Sequence, residues 1–178
     1  DGDGSVAIGF EALQDLEPSD GLSNNTAVGY KAGKNTTTGT SNTLIGSNSG
    51  SSITTGGFNT ALGGRSLASN TVGTLNTAVG YQALFANADG SKSVAVGYRS
   101  LANQDPSGAA DMHNVAIGQE AGNNITTGTT NTLVGGQVGD TLTTGSGNTA
   151  LGYDAAFSSA GASNQIVIGN AAAGHGDN

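Results

Sequence analysis

The side chains able to do chemistry are few in this chain, and they stand in no reactive arrangement. Gly29-Tyr-Lys-Ala-Gly-Lys34 comes close to a phosphate loop, whose backbone N–H groups cradle phosphate and whose Ser or Thr holds magnesium. It is one residue short, and Asn35 stands where the hydroxyl belongs. Gly46-Ser-Asn-Ser-Gly50 has Asn48 in the place of a nucleophilic serine. His113 and His175 have no acid or nucleophile at a telling spacing. Asp1-Gly-Asp-Gly4 opens like a calcium loop, but Ala12 occupies the position of the closing glutamate. Asn24, Asn35 and Asn124 begin Asn-x-Thr sequons, which a chain rich in Asn and Thr produces by composition. The expectation is a non-enzymatic protein with no catalytic residues, no cofactor and no metal site.

Composition narrows the partners. Thirteen acidic residues against five basic ones give a net charge of −8. Nucleic acid and anionic membrane surfaces both require clustered positive charge, so neither is expected as a partner. No apolar stretch approaches the ~20 residues that span a bilayer, so no membrane insertion is expected. With no cysteine there is neither a disulfide nor a thiolate metal site. The chain opens at Asp1 without methionine and with no visible signal peptide, which reads as a fragment or a processed product. Leu, Ile, Val and Phe total 33 residues against 31 glycines, a balance close to that of disordered chains. Their order decides otherwise.

One motif, Asn-Thr-Ala-Val-Gly or a near variant, recurs with its glycine at Gly9, Gly29, Gly46, Gly63, Gly80, Gly97, Gly118, Gly135, Gly152 and Gly169. Seven of the nine spacings are 17 residues; the others are 20 and 21. Positions below are counted from this glycine. Position −1 is always a large aliphatic residue, position −2 is Ala, Leu or Val, and position −3 is Thr, Val or Ile. Short β-branched runs bounded by Gly, Asn and Ser read as strands, and the density of Gly, Thr and Asn excludes helices. Residues 123–128 read as a second short strand in the repeat. The chain is therefore expected to be all-β, a single parallel β-solenoid domain over residues 1–178, with ten coils of 17 residues. At the ~4.8 Å between neighbouring strands it forms a rod roughly 48 Å long. Asn25, Asn42, Asn59, Asn76, Asn114, Asn131 and Asn148, all at −4, are expected to stack as an amide ladder. Glycines at −7, such as Gly39 and Gly56, suit a corner with positive φ.

Positions −1 and −2 point to opposite faces of a strand, yet both are apolar. One lines the coil; the other, read as the Ala-rich position −2, needs a cover, and the simplest cover is another copy of the chain. Position +2 holds Glu11, Lys31, Arg65, Arg99, Glu120 and Asp154, a charged row that reads as the solvent face and a candidate contact surface. The two long spacings produce loop insertions near 15–23 and 103–113, which contain both prolines. Candidate recognition residues there are Asp15, Glu17, Pro18 and Asp20 in the first, and Asp105, Pro106, Asp111, Met112 and His113 in the second.

Ser5-Val-Ala-Ile-Gly9, Ser93-Val-Ala-Val-Gly97 and Asn114-Val-Ala-Ile-Gly118 resemble the head repeats of trimeric autotransporter adhesins. The longer form Asn76-Thr-Ala-Val-Gly-Tyr-Gln-Ala-Leu84 resembles repeats of phage tail-fibre proteins. The resemblance runs through all ten repeats, although these are longer than the usual adhesin-head repeat. It implies a homotrimeric, left-handed parallel β-roll, extracellular on a bacterial surface or a virion tail, and attached to a host-surface receptor, glycan or matrix protein. Two other functions fit the repeat. One is a pure spacer shaft without a ligand. The other is an ice-binding solenoid, suggested by the stacked Thr36, Thr37, Thr54, Thr55, Thr126, Thr127, Thr143 and Thr144.

Overall fold

The three residues before each motif glycine, Thr-Ala-Val or a near variant, form a strand, and everything else in the repeat turns the chain back to stack the next one. The structure, a computed structural model, describes residues 4–17 and 23–175. Its strands are β1 (Val6–Ile8), β2 (Thr26–Val28), β3 (Thr43–Ile45), β4 (Thr60–Leu62), β5 (Thr77–Val79), β6 (Gly90–Ser91), β7 (Val94–Val96), β8 (Ala110–Asp111), β9 (Val115–Ile117), β10 (Thr132–Val134), β11 (Thr149–Leu151) and β12 (Ile166–Ile168). All but β6 and β8 form one parallel sheet in chain order. Ten strands leave nine turns of about 17 residues between them, one fewer than the expected coil number. Register never slips. Val6 faces Thr26 across the 20-residue spacing and Val94 faces Val115 across the 21-residue one. Among the described residues there is no helix.

The expected second strand per repeat does not form. In residues 123–128 the N–H groups of Thr126 and Gly128 both converge on the Thr143 carbonyl, at 2.9 and 3.3 Å. A parallel ladder would spread its bonds over successive carbonyls. Among the described residues the pairing outside the main sheet is that of β6 with β8 and a single bridge of Ala156 to Ala173 at +4 of the last two repeats.

The motif glycine is required twice over. All ten have φ between 127 and 142°, a region closed to side chains. In addition, a Cβ on Gly29 would lie 2.7 Å from the carbonyl carbon and oxygen of Gly46 in the next turn. The glycines at −7 have a different cause from the one expected, since none of Gly39, Gly56, Gly73, Gly90, Gly128 and Gly145 has positive φ. They are glycines because the turns touch there: a Cβ on Gly56 would lie 2.6 Å from the Gly73 oxygen.

The asparagine ladder forms, and it works through the backbone as well as the amides. Asn42 Oδ1 accepts from the Asn59 N–H at 3.0 Å and from Asn59 Nδ2 at 3.1 Å, while Asn42 Nδ2 donates to the Gly56 carbonyl at 2.9 Å. At Ser93 the ladder lacks an amide, and Gln104 supplies one from the neighbouring column. Its Nε2 donates to Asn87 Oδ1 at 3.0 Å and Ser93 Oγ at 3.1 Å, and its Oε1 accepts from Asn114 Nδ2 at 2.9 Å. Gln104 is fully buried, and these bonds meet the cost of burying its amide.

The strand faces are the reverse of the sequence assignment. Ala27, Leu44, Ala61, Ala78, Ala95, Ala116 and Leu133 at −2 are completely buried and form the core with Leu67, Leu84, Leu101, Ile53, Ile125 and Leu142. The large residues at −1 point outward. The coil is too thin to hold a large side chain from every column, so the small one goes inside.

Candidate functional site

The outward side of the ten-stranded sheet is a strip along the rod in which large aliphatic residues at −1 alternate with the residues at −3, threonine in six of the ten strands. Its residues include Ile8, Ile45, Leu62, Ile117, Leu151 and Ile168 at −1, of which Leu62 is 45% and Leu151 50% exposed. Val6 and Ile166 at −3 are also exposed. Aromatic residues at +1 border the strip. Phe10 stacks on Tyr30 with centroids 5.6 Å apart, and Tyr81 on Tyr98 at 6.0 Å, so each pair extends the ladder of the backbone beneath it.

The charged row at +2 is less solvated than expected. Its members have left-handed φ values near 55°, as at Glu11, Lys31, Arg65, Arg99, Glu120 and Asp154. Most are half-buried against the residues at +5 of the same or the next turn; Arg65 is exposed. Glu11 pairs with Lys34 at 2.7 Å and Lys31 at 3.7 Å. The Lys34 hydrogen bond holds the Glu11 carboxyl below its usual range, and Lys31 adds to this. Lys31 is raised above its ordinary range, first by Tyr30 and then by Glu11. Further along, Gln137 Nε2 reaches Glu120 Oε2 at 3.5 Å.

Between the +2 and +5 columns the repeat forms shallow hollows. One, of about 400 Å³, is lined by Asn48, Ser51, Arg65, Ala68, Ser69 and Phe85. The Arg65 guanidinium lies over the Phe85 ring, 4.8 Å from its centroid. The second, of about 250 Å³, lies at corresponding repeat positions and is lined by Glu120, Asn123, Asn124, Gln137 and Asp140. Sequence reading found Arg65 and Glu120 but not the hollows. The signal was present in the column at +5, where Phe85 and Phe157 interrupt small or polar residues and Asp140 is the one acid.

The insertion of residues 103–113 is smaller than its sequence suggested. Asp105 N–H bonds to Thr126 O at 3.1 Å, Ala110–Asp111 pairs with β6, and Met112 N–H bonds to Ser91 O at 3.0 Å. Only residues 106–109 leave the ladder. Met112 is fully buried and Pro106 is buried, which removes both side chains from any contact surface. The hydrophobic environment of Met112 is the corner of the coil, where it lies beside Gly90. Asp105, Asp111 and His113 remain exposed. Asp111 is tied to Lys92 at 2.6 Å, and that bond, with a smaller contribution from His113, lowers its carboxyl from the usual range. In the first insertion Asp15 and Glu17 are exposed, while Pro18 and Asp20 lie outside the described residues, as do Asp1 and Asp3.

The threonine rows also differ from expectation. Thr36 is a core residue in register with Ile53, not a surface one. The hydroxyls of Thr37, Thr54, Thr126 and Thr143 donate to carbonyls of the next turn at 3.2–3.3 Å. Of these rows the exposed threonines form one column (Thr38, Thr55, Thr127, Thr144), and the outward strand face carries another at −3, where Thr43, Thr132 and Thr149 are exposed. Among the described residues there is no cluster of three or more His, Cys, Asp or Glu placed to hold a metal, and no helix long and apolar enough to cross a membrane. Comparison with protein-family models, curated proteins and solved structures found no match.

Proposed function

We propose that this chain is a non-enzymatic segment of an extracellular attachment fibre, of the bacterial-adhesin or phage tail-fibre kind, in which three copies associate as left-handed β-rolls through the outward strand face. The observation that carries the reading is the −1 column. Large aliphatic side chains project outward at successive strands, in register, in a sheet whose inner face is already filled by alanine and leucine. A continuous aliphatic column of this kind, although flanked by threonine at −3 in six strands, is exposed apolar surface of the sort that marks an interface, and a second and third copy present the same column in the same register. The family resemblance of the repeats supplies the trimer, the handedness and the extracellular location. Light scattering of the intact chain tests it: the expected mass is three times 17.2 kDa. A mass of one chain at micromolar concentration overturns the trimer. A trimer that adheres to no cell or matrix surface leaves the same rod as a spacer shaft.

A further inference from the structure

The two hollows share a backbone setting and differ in the side chains set into it. Arg65 differs from the other cations of its row. Lys31 has Glu11 beside it along the rod, and Arg99 has Glu120. Arg65 has the neutral Asn48 on one side and Gln82 on the other. Among the described residues neither Arg65 nor Arg99 forms an ion pair within 4.0 Å, but Arg65 alone of the three cations has no acid at the neighbouring +2 positions. Its guanidinium is held on the Phe85 ring, which fixes its orientation before any ligand arrives. A guanidinium offers two parallel N–H donors that match a carboxylate, and it stays charged at every accessible pH. Asn48, Ser51 and Ser69 line the same hollow. Asn48 Nδ2 donates to Ser47 Oγ at 3.2 Å and Ser51 Oγ to the Ala68 carbonyl at 3.5 Å, which leaves their oxygens as acceptors for ligand hydroxyls. The volume of about 400 Å³ is within the range of small-ligand sites. The net charge of −8 repels an extended polyanion, so the fitting ligand carries one carboxylate on a largely neutral, hydroxyl-rich body.

We propose that the hollow formed by Asn48, Ser51, Arg65, Ser69 and Phe85 is a binding subsite for a carboxylate-bearing sugar. The biological meaning of this subsite rests on the attachment reading above, but its existence is tested separately. Glucuronate, N-acetylneuraminate, glucose and acetate are titrated into the intact chain by calorimetry and by nuclear magnetic resonance. The expected result is saturable binding of at least one acidic sugar, with shifts confined to the hollow. Arg65→Gln weakens it about tenfold or more. Arg65→Lys, which keeps the charge but loses the paired donors, weakens it several-fold, and Glu120→Gln in the acidic hollow leaves it unchanged. Thermal melts matching wild type show that the variants are folded. The subsite is overturned if no acidic sugar saturates, if Arg65→Gln binds as wild type does, or if glucose or acetate binds as tightly as the acidic sugars. A trimer that adheres but binds no acidic sugar refutes this inference alone; a monomer that binds it refutes the assembly alone.

Discussion

Ala78 and Val79 are adjacent in β5, yet one is completely buried and the other faces outward. The same contrast runs along most of the sheet, a small residue inside at −2 and a large one outside at −1, with Leu44, Leu133 and Val167 the exceptions inside. A soluble sheet normally does the opposite. The inside is small because the turn is narrow and several columns compete for its space. Where position −2 is enlarged to Leu44 or Leu133, the +4 position gives way. A Cβ on Gly50 would lie 2.7 Å from Leu44 Cδ2, and one on Gly122 lies as close to Leu133 Cδ1. Where −2 is Ala61, Ala78 or Ala95, position +4 is Leu67, Leu84 or Leu101. Core volume is thus exchanged between columns, while the outer face keeps a large aliphatic residue at −1 in every strand.

Substitutions at the two faces separate these roles. Ala78→Asp places a charge at a fully buried position with no partner, and the expected loss exceeds about 4 kcal/mol, or the chain fails to fold. Chemical denaturation measures it. Val79→Asp should cost the single coil far less, about 1 kcal/mol, while shifting the scattering mass from three chains to one. Equal losses of stability at the two positions would mean that both face the core. The smallest effect is expected at Glu11, on the turn that joins the faces. Its carboxyl titrates below its ordinary value of 4.5, so its ion pairs stabilise above that pH and are lost as the pH falls through the lower folded value. The melting difference between wild type and Glu11→Gln should therefore be present at neutral pH and vanish in acid.

The stacking, the register across both long spacings, the amide ladder and the motif glycines were legible in the sequence, because each depends on one residue type repeating at one position. The strand faces were not. Both −1 and −2 are apolar, and which of them fits inside depends on the width left by the columns at +3, +4 and +7, which no single repeat reveals. The −7 glycines showed the same limit: the sequence signals glycine, but not whether φ or a touching neighbour demands it. Met112 illustrates a third. It was grouped with the insertion by spacing, yet the chain rejoins the ladder at Ala110, so only four residues bulge out. The candidate site was legible as a charged row, but not as hollows, since Arg65 and Phe85 are 20 residues apart in sequence and meet only through stacking.

The inter-turn hydrogen bonds, from the strand ladder to the asparagine amides, lie along the rod axis and join one turn to the next in series. Tension applied at the two ends therefore loads the bonds of the end turn first, without shearing the others. A stacked turn occupies ~4.8 Å of the axis, whereas 17 freed residues span roughly 56–61 Å. Each turn that peels away lengthens the chain by roughly 50 Å and leaves the remaining turns folded. A load on the two ends is therefore taken up turn by turn rather than by all the turns at once.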